Sequence, residues 1–357
     1  MSSKLFRIFI ALSLGLGLVS CNGGQAVPME KTPLVVFAAG SLILPFAHVE
    51  EAFEVRYPNI DVQAEYHGSI QVMRHVTELQ EEIDVVATAD AALIPMLMYA
   101  NQVPETGQPY ADWYIRFASN RLALAYSPES KYADEIDASN WMEVLARPDV
   151  KVGFSDPRFD ASGYRTLMAY ALAEIAGGRY DHFGPMFDGQ FTYPITIFRD
   201  DDLTTITVPE ILETKSDSHI ALRGASIQLI ALLESGDLDY AFEYESVIQQ
   251  HGLKLLSLPN EVNLGDAASA DFYRQVQVNL DFQRFASLKP QFRGERIGYG
   301  ITIPSNAPHA DEAALFIAFL LSPEGRALME ADHHPLFDTF IADGFPNLPA
   351  DLQALCE

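Results

Sequence analysis

Two serines sit where they could do chemistry. Ser41 and Ser69 each follow a glycine at the exit of a strand-like run and open an amphipathic stretch. A serine in that place can cap the helix behind it, its oxygen accepting a backbone N–H. Alternatively, its hydroxyl can join the free N–H groups of the helix start in holding an anion. Asp160 and Glu243 are acidic candidates, in Asp160-Ala161-Ser162-Gly163-Tyr164-Arg165 and Asp239-Tyr240-Ala241-Phe242-Glu243-Tyr244. By spacing alone, Asp160 reads as a turn residue and Glu243 as a solvated surface acid. As a pair they could instead be a hydrolytic acid and base, although no recognisable hydrolase motif accompanies them. A carboxylate aimed at an anion is repulsive, by roughly 4 kcal/mol for unit charges about 4 Å apart at an effective dielectric of about 20. Sulfate and phosphate should therefore avoid such a pair.

Other candidates are weaker. His333-His334 could suggest a metal, but no third ligand stands at a recognisable spacing, and the pair reads as a surface feature near the last helix. Asp200-Asp201-Asp202 lacks the spacing and glycine of a calcium loop and reads as a solvated turn. Tyr110, Trp113 and Tyr114 could line a cleft, but the expectation is core. Glu243 should lie where a strand ends and a helix begins, so Glu245, about 200° around that helix, points away from it. The two cysteines, Cys21 and Cys356, form no zinc pattern; Cys356 is expected as a free thiol.

These residues need elements to place them, and the chain supplies an alternation of strands and helices. Leu34–Ala39 is a continuous apolar run, as in a buried parallel strand. Ile60–Tyr66 and Ile83–Ala87 are further strands, with a helix-spaced apolar set at Ile70, Met73, Val76 and Leu79 between them. Such β-turn-α units predict a doubly wound α/β layer, whose ligands bind beyond the carboxyl ends of the strands. Arg121–Tyr126, Val150–Phe154, Ser218–Leu222, Asp239–Phe242 and Gly298–Pro304 continue the strands. Helices are expected over Trp141–Ala146, Gly163–Ile175 and Asp311–Leu321, and Ser322-Pro323 should start one more. No Pro- or Gly-rich linker separates two halves, as expected if two lobes are joined by more than one crossing.

The 357 residues carry 23 Lys plus Arg against 49 Asp plus Glu, a net charge of −26. That balance argues against nucleic acid and against lying flat on an anionic membrane. The first twenty residues read as a signal peptide, with Lys4 and Arg7 before an apolar stretch from Ile8 to Val19. Leu18-Val19-Ser20-Cys21 resembles the bacterial lipobox, which implies lipidation of Cys21. The expected product is exported and lipid-anchored to the cell membrane, facing the periplasm or the cell exterior.

The whole set of motifs resembles the substrate-binding proteins of ABC transporters, and most closely the molybdate/tungstate-binding group. It is carried by Phe37-Ala38-Ala39-Gly40-Ser41-Leu42, Gly68-Ser69, Asp84-Val85-Val86-Ala87, Tyr110-Ala111-Asp112-Trp113-Tyr114, Gly163-Tyr164-Arg165, Phe242-Glu243-Tyr244 and Leu321-Ser322-Pro323-Glu324-Gly325. The resemblance implies a two-lobed type II periplasmic-binding-protein fold, each lobe a mostly parallel sheet flanked by helices. It implies a signal peptide over 1–20, a tether over 21–33, one lobe from 34–120 and 298–346, and the other from 121–297. It further implies no catalysis and no cofactor. The ligand would be tungstate or molybdate, hydrogen-bonded by Ser41 and Ser69, with Asp160 and Glu243 completing the coordination of the tungsten or molybdenum. The partners would be an ABC transporter permease and its ATPase, served by a monomer. Two departures are visible: Ala161-Ser162 follows the aspartate where the group has Pro-Cys, and Glu245 stands where the group often has Arg.

Overall fold

In the computed structural model, which describes residues 31–281 and 290–357, the apolar run becomes the buried strand β1 (Thr32–Ala39). It is flanked on both sides by parallel partners, β2 (Ile60–His67) and β3 (Val85–Thr88). Every residue of β3 is buried, as a strand covered on both faces requires. β4 (Tyr114–Ala118) completes the first pass through this lobe, and β5 (Leu122–Tyr126) already belongs to the second. Residues 1–30, including Cys21 and the expected signal peptide, lie outside the described residues.

The second lobe continues with β6 (Val152–Ser155), β7 (Thr196–Arg199), β8 (Thr204–Pro209), β9 (Ile220–Arg223), β10 (Tyr240–Tyr244), β11 (Lys254–Ser257), β12 (Val276–Asp281) and β13 (Gln291–Arg293). The chain then returns through β14 (Tyr299–Thr302) and adds β15 (Leu336–Asp343). The sheet orders are β15-β4-β14-β3-β1-β2 and β11-β5-β10-β6-β9, with a smaller sheet β13-β12-β8-β7 on the second lobe. The result is a two-lobed α/β fold. Its sheets are mixed, and the antiparallel pairs have a simple cause. A strand arriving from the other lobe must start at the end where the parallel strands finish. Accordingly β14 runs antiparallel to β3, and β5 antiparallel to β10.

Each lobe closes over an aromatic core. In the first, Phe53 meets Phe316 edge-on at 5.3 Å, joining the helix Ile43–Arg56 to the helix Ala310–Leu321. The next helix begins as its sequence predicts, with Ser322 Oγ accepting the Gly325 N–H and Pro323 in the first turn. In the second lobe, Tyr170 of the long helix Ala161–Gly177 packs with Trp141 and Phe242. Tyr110 and Trp113 are buried in the core and Tyr114 is half-buried. Asp200, Asp201 and Asp202 are exposed in a turn. His333-His334 is not the surface pair its sequence suggests. His334 is wholly buried, because the chain folds back after the last long helix and lays its ring against Tyr299 at 4.5 Å.

Candidate functional site

The singled-out residues collect at the carboxyl ends of the strands, as an open α/β sheet directs. Ser41 follows β1, Ser69 follows β2, Asp160 follows β6, and Glu243 is the next-to-last residue of β10. All four are at most 5% exposed. Neither serine spends its hydroxyl on capping its own helix. Ser69 Oγ accepts the Ala89 N–H at 3.1 Å, and Ser41 Oγ lies 2.8 Å from Tyr299 Oη. The plain helix-cap explanation therefore fails for both.

Asp160 is not a turn acid in water. Its Oδ1 accepts the Ser69 N–H across the lobes at 3.3 Å, and its Oδ2 accepts the Ser226 N–H at 3.0 Å. Burial raises its carboxyl above the usual range, opposed by these two N–H groups. Glu243 is likewise no surface acid. Its Oε1 accepts from Ser226 Oγ at 2.9 Å and from its neighbour's N–H, that of Tyr244, at 2.7 Å. Its Oε2 is buried and has no hydrogen-bond partner among the described residues. Burial pushes the Glu243 carboxyl up to about 8, with the Asp160 charge adding to the rise. Ser226 thus bridges the two carboxylates, one through its N–H and the other through its hydroxyl. The hydroxyl of Ser162, two residues after Asp160, is also buried with no hydrogen-bond partner among the described residues. Glu245 turns away, toward Ser257 and Arg121.

The lobes meet closely here. The N–H groups of Ile70 and Gln71, at the start of the helix Ser69–Thr77, both donate to Phe159 O of the other lobe, at 3.0 and 3.1 Å. A Cβ on Gly68 would come within 2.5 Å of Phe159 O and 2.6 Å of Gly224 O, so only glycine permits the approach. Beside this contact Arg165 reaches across, donating to Ala89 O at 2.8 Å with its Nη2 3.5 Å from Asp90 Oδ2. The Tyr164 hydroxyl donates to the same carboxylate. Arg165 also donates to Tyr244 Oη at 2.7 Å.

Sequence reasoning missed Ser226, Tyr299 and Asp90. A signal existed for Ser226: Gly224-Ala225-Ser226 repeats the small-residue strand exit of Gly40-Ser41 and Gly68-Ser69. Tyr299 and Asp90 had none, because their partners are distant in sequence.

Buried carboxylates, hydroxyls and helix-start amides are gathered where the two lobes meet, the arrangement of a solute-binding protein. Residues 34–333 match the pattern of the family described as bacterial extracellular solute-binding protein. A molybdate/tungstate-binding protein of Pyrococcus abyssi is 37% identical over 94% of this chain and 93% of its own. One of Thermococcus kodakarensis is 36% identical over 99% of this chain and 96% of its own. The chain belongs to this family of substrate-binding proteins, in the molybdate/tungstate-binding group of the ABC transporters. The fold is wider than the group: a sulfate-binding protein of Mycobacterium tuberculosis shares it at a TM-score of 0.55 with 15% identity, over 86% of this chain and 88% of its own.

Proposed function

We propose that this protein captures tungstate or molybdate outside the cytoplasm and hands it to an ABC permease and its ATPase, without catalysing a reaction. The observation that carries the reading is the buried pair Asp160 and Glu243, bridged by Ser226 and set against Ser69 of the other lobe. Two carboxylates without a cation between them are a poor receptor for sulfate, whose sulfur takes no further ligands. Tungsten and molybdenum are large, electron-poor centres that accept two more oxygens. Four oxo groups with one oxygen each from Asp160 and Glu243 make a distorted octahedron, and metal–oxygen bonding offsets the repulsion. Ser41 and Ser69 supply hydrogen bonds to the oxo groups. Closure of the lobes about the anion gives the permease a form to recognise. The protein acts as a monomer with Cys21 as its lipid-bearing residue.

Calorimetric titration of ligand-stripped protein tests this. Tungstate and molybdate should bind tightly and sulfate at least about a hundred-fold more weakly, a difference of about 2.8 kcal/mol. Sulfate binding as tightly as tungstate contradicts the reading.

A further inference from the structure

Ser41 can serve an oxyanion only if its hydroxyl proton points at the ligand. Tyr299 Oη lies 2.8 Å from Ser41 Oγ, and either oxygen can be the donor. The surrounding bonds favour one direction. Asn120 Oδ1 accepts the Arg121 N–H at 2.9 Å, which fixes the side-chain amide's orientation. Its NH₂ therefore faces the other way, donating to Ser246 Oγ at 2.8 Å and to Tyr299 Oη at 3.3 Å. Tyr299 Oη accepts from Asn120, and Ser41 Oγ is the acceptor within reach of its own proton among the described residues, which favours donation to Ser41. His334 packs edge-on against the phenol ring at 4.5 Å and makes no hydrogen bond to its hydroxyl. Tyr299 is wholly buried, and Asn120 and Ser41 are nearly so, so water does not compete.

We propose that Tyr299 and Asn120 are positioning residues that hold Ser41 as a hydrogen-bond donor toward the bound oxyanion. Protons point one way, from the Asn120 amide to the Tyr299 hydroxyl, from there to Ser41, and from Ser41 to the ligand. Each bond polarises the next, strengthening the last. Asn120 lies in the link from β4 to β5, and Tyr299 opens β14 after the return. The relay is therefore anchored on both crossings between the lobes. This inference rests on the oxyanion reading above.

Its test is a double-mutant cycle read by tungstate titration on the full chain. Tyr299→Phe keeps the ring and removes only the hydroxyl. It should weaken tungstate binding about ten-fold, in line with the loss of support for a hydrogen bond to a charged group. Ser41→Ala should weaken it by about ten- to a hundred-fold. In the Ser41→Ala background Tyr299→Phe should cost nothing more, which a merely structural tyrosine would not obey. If Tyr299→Phe does not fold, Asn120→Asp replaces it: an acceptor at 120 draws the phenol proton away from Ser41. Its loss of affinity should shrink in the Ser41→Ala background to what the added charge alone produces. An unaffected Tyr299→Phe, an unaffected Ser41→Ala, or losses that multiply in the double variant overturn the relay while leaving the oxyanion reading intact. A parent protein that fails to bind tungstate overturns the oxyanion reading itself.

Discussion

At the scale of single residues, Glu243 carries the most unusual chemistry. Burial holds its carboxyl at about 8 against an ordinary 4.5. The ionised form is the one burial penalises, so the folded protein holds this proton longer than the unfolded chain does. The group's contribution to stability is then fully present below pH 4.5 and is lost as pH rises through about 8. Ligand-free protein should lose stability between pH 5 and 8 with a slope of up to about 1.4 kcal/mol per pH unit from this group. In Glu243→Gln that slope should disappear, as thermal melts across the range will show; identical profiles for the two proteins refute it. The sequence made Glu243, Asp160 and both serines visible as candidates because each stands in a short local motif. Tyr299 was invisible as a partner of Ser41, since 258 positions separate them and only the fold closes that distance. His334 misled for a related reason: a polar residue in a late loop reads as exposed until the ring it packs against is known.

At the scale of elements, two glycines separate the building of a lobe from the meeting of two lobes. A Cβ at Gly68 would strike backbone oxygens of the opposite lobe, Phe159 O and Gly224 O. One at Gly163 would strike Ser155 O at 2.2 Å within its own lobe, where the helix Ala161–Gly177 docks on the end of β6. Gly68→Ala should therefore hold the lobes apart, weakening tungstate binding at least ten-fold while leaving the ligand-free melting temperature nearly unchanged. Gly163→Ala should do the reverse and lower the melting temperature by several degrees, as a core clash of about 1–3 kcal/mol requires. Titration and melting of both variants check the pair, and a fall in melting temperature for Gly68→Ala contradicts it. Strands in the parallel core, such as β1 and β3, were legible from continuous apolar runs. β7, β8 and β11–β13 were not, being short antiparallel or second-sheet strands without such runs. Nor was β15, half of which faces solvent.

At the scale of the molecule, the two lobes share a buried ion pair. Arg165 of one lobe is 3% exposed and faces Asp90 of the other, which also accepts from Tyr164. Removing one partner of such a pair strands the other charge, at a cost of about 3–5 kcal/mol. When the lobes part, water reaches Arg165, so that cost falls on the closed form. Asp90→Asn should shift the population toward open lobes and weaken tungstate binding at least ten-fold. Small-angle scattering should show the variant more expanded than the parent without ligand and contracting only at higher tungstate concentration. Equal affinity and equal radius in the two proteins would refute the latch.

Tungsten X-ray absorption on the loaded protein tests the central claim most directly, because it counts the oxygens around the metal. Capture by Asp160 and Glu243 predicts four short oxo distances and two longer oxygens in the parent. A four-coordinate, tetrahedral tungstate in the parent complex contradicts the account.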